Sequence, residues 1–193
     1  MSNDDSSSLY DPRNHLNDLN SKEWTYALSS VLSTHYPARG TQSLAHNMRR
    51  QHPSPKPPQL LAELIRFFTK QNGRVLDPFC GTGSSLLACS MTQRRGVGFD
   101  LSPTYRALYH EVAQSLDMPV LPYYIGDSSD AATFLQSELS EFDFVIADPP
   151  YLSMLNKKRT GHRAKKGQSE STPFSDNQHD LGNMSTEIGR AHV

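Results

Sequence analysis

Apolar residues along this chain come in short runs set off by polar, proline- and glycine-marked breaks, and from residue 58 onward the runs alternate between two periods. Leu60, Leu61, Leu64, Ile65 and Phe68 recur at helical spacing behind Pro58, which predicts a helix with these residues on one face and its end at Gly73. A short strand is expected over 74–77, a helix over 84–91, a second strand over 96–100 and a helix over 104–116. A third strand is expected over 120–125, followed by Gly126-Asp127, then a helix over 131–139 and a buried strand over 142–147. Strands alternating with helices predict an α/β fold with a parallel sheet and helices on both faces.

The ground before residue 58 is less regular. Residues 1–22 are rich in Ser, Asn and Asp and are expected to form a disordered or loosely attached arm. Residues 24–32 form an apolar run too short to type, and 35–50 are polar and irregular. His52-Pro53-Ser54-Pro55-Lys56-Pro57-Pro58 has four prolines and excludes helix. Beyond residue 155 the chain is polar and rich in Lys, Ser, Gly and Asn, with no further core element expected. The final residues 187–193 match the translation of a sequencing-library adapter, so the reading frame is expected to leave its gene near Ser185 and the chain to be a fragment, with a genuine polar tail as the alternative.

A length of 193 residues allows one ordinary domain with a sizeable core. The net charge of -1 does not mark a generally basic nucleic-acid binder. The charge is uneven, though: Lys157, Lys158, Arg159, Arg163, Lys165 and Lys166 form a run without acids, either a solvated loop or a segment that tracks phosphates. Cys80 and Cys89 have no metal-ligand company and read as reduced thiols of a cytoplasmic protein. The polar, acidic start is no signal peptide, no apolar run approaches a membrane span, and the eight histidines show no paired spacing that predicts a metal site.

Candidate chemistry lies at the strand ends. Asp77-Pro78-Phe79-Cys80-Gly81-Thr82-Gly83 is a glycine turn between a strand and a helix, where backbone can approach a ligand closely. A P-loop would need Lys after its last glycine, but Gly83 is followed by Ser84. A dinucleotide fingerprint would want a third glycine where Leu86 stands. S-adenosylmethionine is the reading left best placed. It has no pyrophosphate to cradle, and its amino group and sulfonium would favour an acid such as Asp77. Asp100 could accept from ribose hydroxyls, and Asp127 from an adenine amino group. Each of these could alternatively cap the next helix. Asp148-Pro149-Pro150-Tyr151 offers a carboxylate, a rigidly aimed carbonyl and a ring at a strand end, a set suited to holding a planar amino group.

The glycine turn and the tetrad together resemble the amino-group DNA methyltransferases, and the proline segment 52–57 is similar to the family segment that precedes the cofactor loop. The resemblance covers residues 52–151. It implies a Rossmann-like S-adenosylmethionine-dependent methyltransferase fold, of which four of the family's seven strands are recognised. It also implies an incomplete catalytic domain over 23–155, with a flexible loop and non-native tail over 156–193. Implied catalytic residues are Asp148, Pro149, Pro150 and Tyr151. Implied cofactor residues are Lys56, Asp77, Pro78, Phe79, Gly81, Gly83, Asp100 and Asp127, with Lys56 either reaching the methionine carboxylate or facing solvent. Double-stranded DNA with a flipped adenine or cytosine is the implied substrate, and a cognate restriction endonuclease an implied partner. An RNA base methyltransferase and a non-catalytic cofactor-binding fragment remain open at this point, and the fragment alone is expected to be inactive. No covalent enzyme intermediate is needed, so Cys80 reads as a small packing residue.

Overall fold

The structure, a computed structural model, describes residues 11–135 and 141–150, except positions 30, 32, 33 and 38. Its first element is helix α1, Ser21–Ala27, which types part of the ambiguous run. The start of α1 is fixed by a reciprocal cap: the Asn20 side chain accepts from the Glu23 N–H and the Glu23 carboxylate accepts from the Asn20 N–H. The expectation of a loose arm over 1–22 is corrected over 17–22. Asn17 and Leu19 are buried, and the Asn17 amide donates to the Phe67 carbonyl at 2.7 Å. The polar composition hid this because a buried Asn that satisfies backbone groups anchors a segment as well as an apolar residue does.

Helix α2, His46–Arg49, interrupts the segment expected to be irregular, and no helix forms through the proline segment. Helix α3, Pro58–Phe68, has Pro58 in its first turn, as expected. It ends before Gly73, at Thr69, whose backbone turns extended and whose hydroxyl donates to the Ile65 carbonyl at 2.5 Å. The expected apolar face is also corrected. Ala62 and Ile65 are buried, whereas Leu64 and Phe68 are exposed.

The alternating part follows as β1 Arg74–Asp77, α4 Ser84–Thr92, β2 Arg95–Asp100, α5 Pro103–Ser115, β3 Tyr123–Ile125, α6 Ala131–Leu135 and β4 Phe144–Val145. The sheet order is β3-β2-β1-β4 and every neighbouring pair is parallel. Val75 packs with Ala62 and Ile65 of α3 and Ala88 and Cys89 of α4 on one face. Leu76, Val97 and Phe99 pack with Ala131 and Leu135 of α6 on the other. This is the Rossmann-like α/β arrangement expected, with helices on both faces of a parallel sheet. Among the described residues no helix is long and apolar enough to cross a membrane.

Two strands are shorter than their sequence pattern predicts. β3 begins at Tyr123 rather than 120 because Pro119 and Pro122 bring no N–H to the ladder. β4 covers Phe144–Val145, and it is not the buried strand expected, since Val145 is 52% exposed. Among the described residues β4 has β1 as its one sheet neighbour. The order reverses between β1 and β4, which makes their carboxyl ends the topological switch point, the place where open α/β sheets bind ligands.

Candidate active site

Asp77 ends β1 at that switch point and is buried. Its Oδ1 accepts from the Phe79 N–H at 2.9 Å, folding the chain into the glycine turn. Burial pushes its carboxyl up from 3.8 to about 6, with Asp100 and Asp148 adding to the rise and the Ser85 hydroxyl and Phe79 N–H opposing it. Among the described residues no cation figures in these influences. The Cys80 thiol is likewise pushed up by burial, which keeps it protonated and un-nucleophilic.

Gly81 and Gly83 both take positive φ, at 49° and 72°. A Cβ on Gly83 would collide with the ring of Tyr109, and one on Gly81 would meet His52 Nε2 at 3.1 Å. The two glycines therefore let α5 and the proline segment close on the turn from two sides. His52 packs its ring on Tyr105 with centroids 4.8 Å apart, and its Nδ1 accepts from the Ser54 N–H at 3.1 Å. That fixes the proline segment over the glycine turn.

Asp100, at the end of β2, clamps the turn from a third side. Its Oδ2 accepts from the Gly81 N–H and its Oδ1 from the Ser102 N–H, both at 2.9 Å. Two further N–H groups of the turn are engaged as well. Cys80 donates to the Phe99 carbonyl at 2.9 Å and Gly83 to the Cys80 carbonyl at 2.8 Å. A phosphate cradle needs backbone N–H groups directed at the ligand. Here the N–H groups of Phe79, Cys80, Gly81 and Gly83 are all directed at the protein itself. The turn thus fits a ligand without phosphates, and the carboxylates around it fit a cation.

The expected set of four strand-terminal aspartates is corrected in part. Asp77 and Asp100 do end their strands, but Asp127 follows Ile125 and Asp148 follows Val145 only after intervening residues. Asp127 caps the turn Ser128–Asp130 by accepting from the Ser129 N–H at 2.9 Å. Pro78 and Phe79 lie half-buried in the glycine turn. Asp148 and Pro149 are exposed and Pro150 is half-buried, while Tyr151 and the basic run 157–168 lie outside the described residues. Lys56 neither faces solvent alone nor stands apart from the tetrad: its Nζ lies 2.8 Å from Asp148 Oδ2.

The DNA methylase family profile matches residues 3–111, more than half of the chain. The chain belongs to the DNA methylase family. The matched span includes the proline segment, the glycine turn and Asp100, and stops short of Asp127 and the tetrad. Within Escherichia coli (strain K12), "Putative methylase YubD" is 45% identical over 56 residues, covering 29% of this chain and 25% of that protein. The type II methyltransferase M.HpaI of Haemophilus parainfluenzae is 35% identical over 57 residues, 30% of this chain and 18% of its own. The chain thus spans a small part of the curated relatives it matches. Among solved structures, TTHA0409 of Thermus thermophilus, titled "Putative DNA Modification Methylase" and complexed with S-adenosyl-L-methionine, is 26% identical with a TM-score of 0.42, covering 56% of this chain and 39% of that one.

Three residues of the site were not picked out from the sequence. Arg49 is buried, and its guanidinium donates to the carbonyls of Ser43, Leu44 and Lys56 and to the Ser84 hydroxyl at the start of α4. Burial lowers its pKa to about 10. Tyr123 donates its hydroxyl to the Gly81 carbonyl, and Tyr109 backs Gly83 while accepting from the Leu121 N–H at 2.9 Å. Nothing in a single sequence separates Arg49 from the exposed Arg50 beside it.

Proposed function

We propose that this chain carries the donor-binding and transfer residues of an S-adenosyl-L-methionine-dependent DNA amino-methyltransferase, acting on the exocyclic nitrogen of adenine or cytosine. One observation carries the reading: Asp77 opens and Asp100 clamps a glycine turn that directs the N–H groups of Phe79, Cys80, Gly81 and Gly83 at the protein itself, with the Asp148 charge acting on Asp77. Such a site disfavours nucleotide phosphates and favours a cationic nucleoside. Membership of the DNA methylase family supports DNA as the substrate class.

Asp77 would face the donor's positive groups, Asp100 its ribose hydroxyls, and Asp127 its adenine edge. Phe79, Pro78, Gly81 and Gly83 shape the surface against it. When bound, the donor supplies an electrophilic methyl group on a sulfonium. The target base leaves the duplex to reach the site. Its amino group donates to the Asp148 carboxylate and the Pro149 carbonyl, with Pro149 and Pro150 holding that backbone rigid. Holding both N–H bonds draws the nitrogen lone pair out of ring conjugation, so it can form the new N–C bond as the methyl's bond to the donor sulfur breaks. The neutral thioether leaves with that electron pair, and Asp148 takes the proton the nitrogen sheds. Tyr151 stacks on the extruded base, a contact worth ~1–3 kcal/mol in related cases. DNA is the partner proposed, in the cytoplasm, with an endonuclease of the same specificity as a second.

The test is transfer of labelled methyl by the full-length protein to mixed-sequence DNA and to RNA, followed by digestion to nucleosides. Label in N6-methyladenine or N4-methylcytosine from DNA is expected, with a loss of about 100-fold or more in Asp148→Ala. Label in RNA alone would move the substrate class, and undiminished transfer by Asp148→Ala would remove the catalytic assignment.

A further inference from the structure

The Lys56–Asp148 ion pair joins two residues whose proposed tasks are separate, one beside the methyl donor and one on the target base. Their side chains are 36% and 42% exposed, so neither ion is locked into the core. The backbone under Lys56 is fixed nevertheless, since its carbonyl accepts from Arg49 Nη1 at 2.8 Å. The ammonium on its flexible stem is the movable part. With this pair formed, one carboxylate oxygen of the residue meant to receive the base amino group is already engaged.

The proposed donor brings an α-carboxylate of the same chemistry as the Asp148 side chain. We propose that Lys56 is a shared counter-ion: in the donor-free protein it holds Asp148 Oδ2, and donor binding transfers it to the donor's carboxylate, which releases that oxygen to the target base. This rests on the donor reading given above. The exchange makes Asp148 a competitor for Lys56. By linkage, donor and base then strengthen each other's binding.

Calorimetry on the 193-residue chain tests it with two nucleosides, S-adenosylhomocysteine, which has the carboxylate, and 5′-methylthioadenosine, which lacks it. Asp148→Asn removes the competitor and is expected to tighten S-adenosylhomocysteine by about two- to fivefold, the size of one part-exposed ion pair. Adding Lys56→Gln is expected to abolish that gain, and methylthioadenosine affinity is expected to stay level in all variants. A thermal midpoint measured in parallel confirms that each variant is folded. The proposal is overturned if Asp148→Asn gives no tightening, if the gain survives Lys56→Gln, or if methylthioadenosine gains equally. If neither nucleoside binds the unsubstituted chain, the donor reading falls and the exchange with it. Binding of S-adenosylhomocysteine without the Asp148 effect removes the exchange alone.

Discussion

The Tyr123 hydroxyl donates to the Gly81 carbonyl at 2.8 Å from within the core. The Gly81 N–H is held by Asp100, so both polar backbone groups of one glycine are fixed by neighbouring strands. Burial pushes the Tyr123 phenol above its ordinary range, which favours the protonated, donating form. Tyr123→Phe leaves the Gly81 carbonyl short of a partner and is expected to cost about 1–3 kcal/mol of stability. Urea denaturation checks the stability. Calorimetry with S-adenosylhomocysteine should show weaker binding, because the turn loses its anchor.

Gly83 is constrained twice, by a φ of 72° and by the Tyr109 ring standing where a Cβ would go. Gly83→Ala must therefore move α5 as well as strain the backbone. A loss of about 3 kcal/mol or more is expected from overpacking and strain together. Made in a Tyr109→Ala background, the same substitution should cost only the backbone part, because the ring it collides with is gone. Denaturation midpoints of the single and double variants give the comparison.

Asp77 shows the opposite relation between stability and function. Its carboxyl titrates near 6 when folded against 3.8 ordinarily, so the folded protein holds the proton more tightly. That contribution is fully present below 3.8 and is lost as pH rises through about 6. At neutral pH the buried charge costs about 3 kcal/mol, at 1.36 kcal/mol for each tenfold change in proton affinity. Asp77→Asn is expected to be more stable than the parent at pH 7 and equal to it at pH 3, by urea titration at both values. It should bind the donor more weakly, since the carboxylate that suits a cation is gone. In the parent, donor affinity should rise between pH 5 and pH 7 as Asp77 ionises.

Much of this was legible before the structure. The strands over 74–77 and 96–100 and the helices beside them follow from periodicity, because both faces of that sheet are covered and each apolar position has one role. Periodicity failed where burial is one-sided or prolines intervene, as at Val145 and Pro122. The glycine turn and Asp100 were legible from spacing. The engagement of the turn's N–H groups was not, because it depends on how β2 and α5 approach. The pairing of Lys56 with Asp148 was also out of reach, since 92 positions (148 − 56) separate them in the chain.

Arg49 is the clearest case of a role set by tertiary packing. Its guanidinium joins the carbonyls of Ser43, Leu44 and Lys56 to the Ser84 hydroxyl, with Ser84 bonded at 3.2 Å. The segment before the proline run is thereby tied to the first turn of α4, next to the glycine turn. A lysine keeps the charge but has one nitrogen, which cannot serve acceptors on four sides of a planar fork. Arg49→Lys is therefore expected to lose about 3 kcal/mol, from carbonyls left buried without donors. Arg50→Lys, at the exposed neighbour, should stay within about 0.5 kcal/mol of the parent. Denaturation midpoints of the two variants decide it. Equal effects would mean that the charge of the segment matters and the buried fork does not.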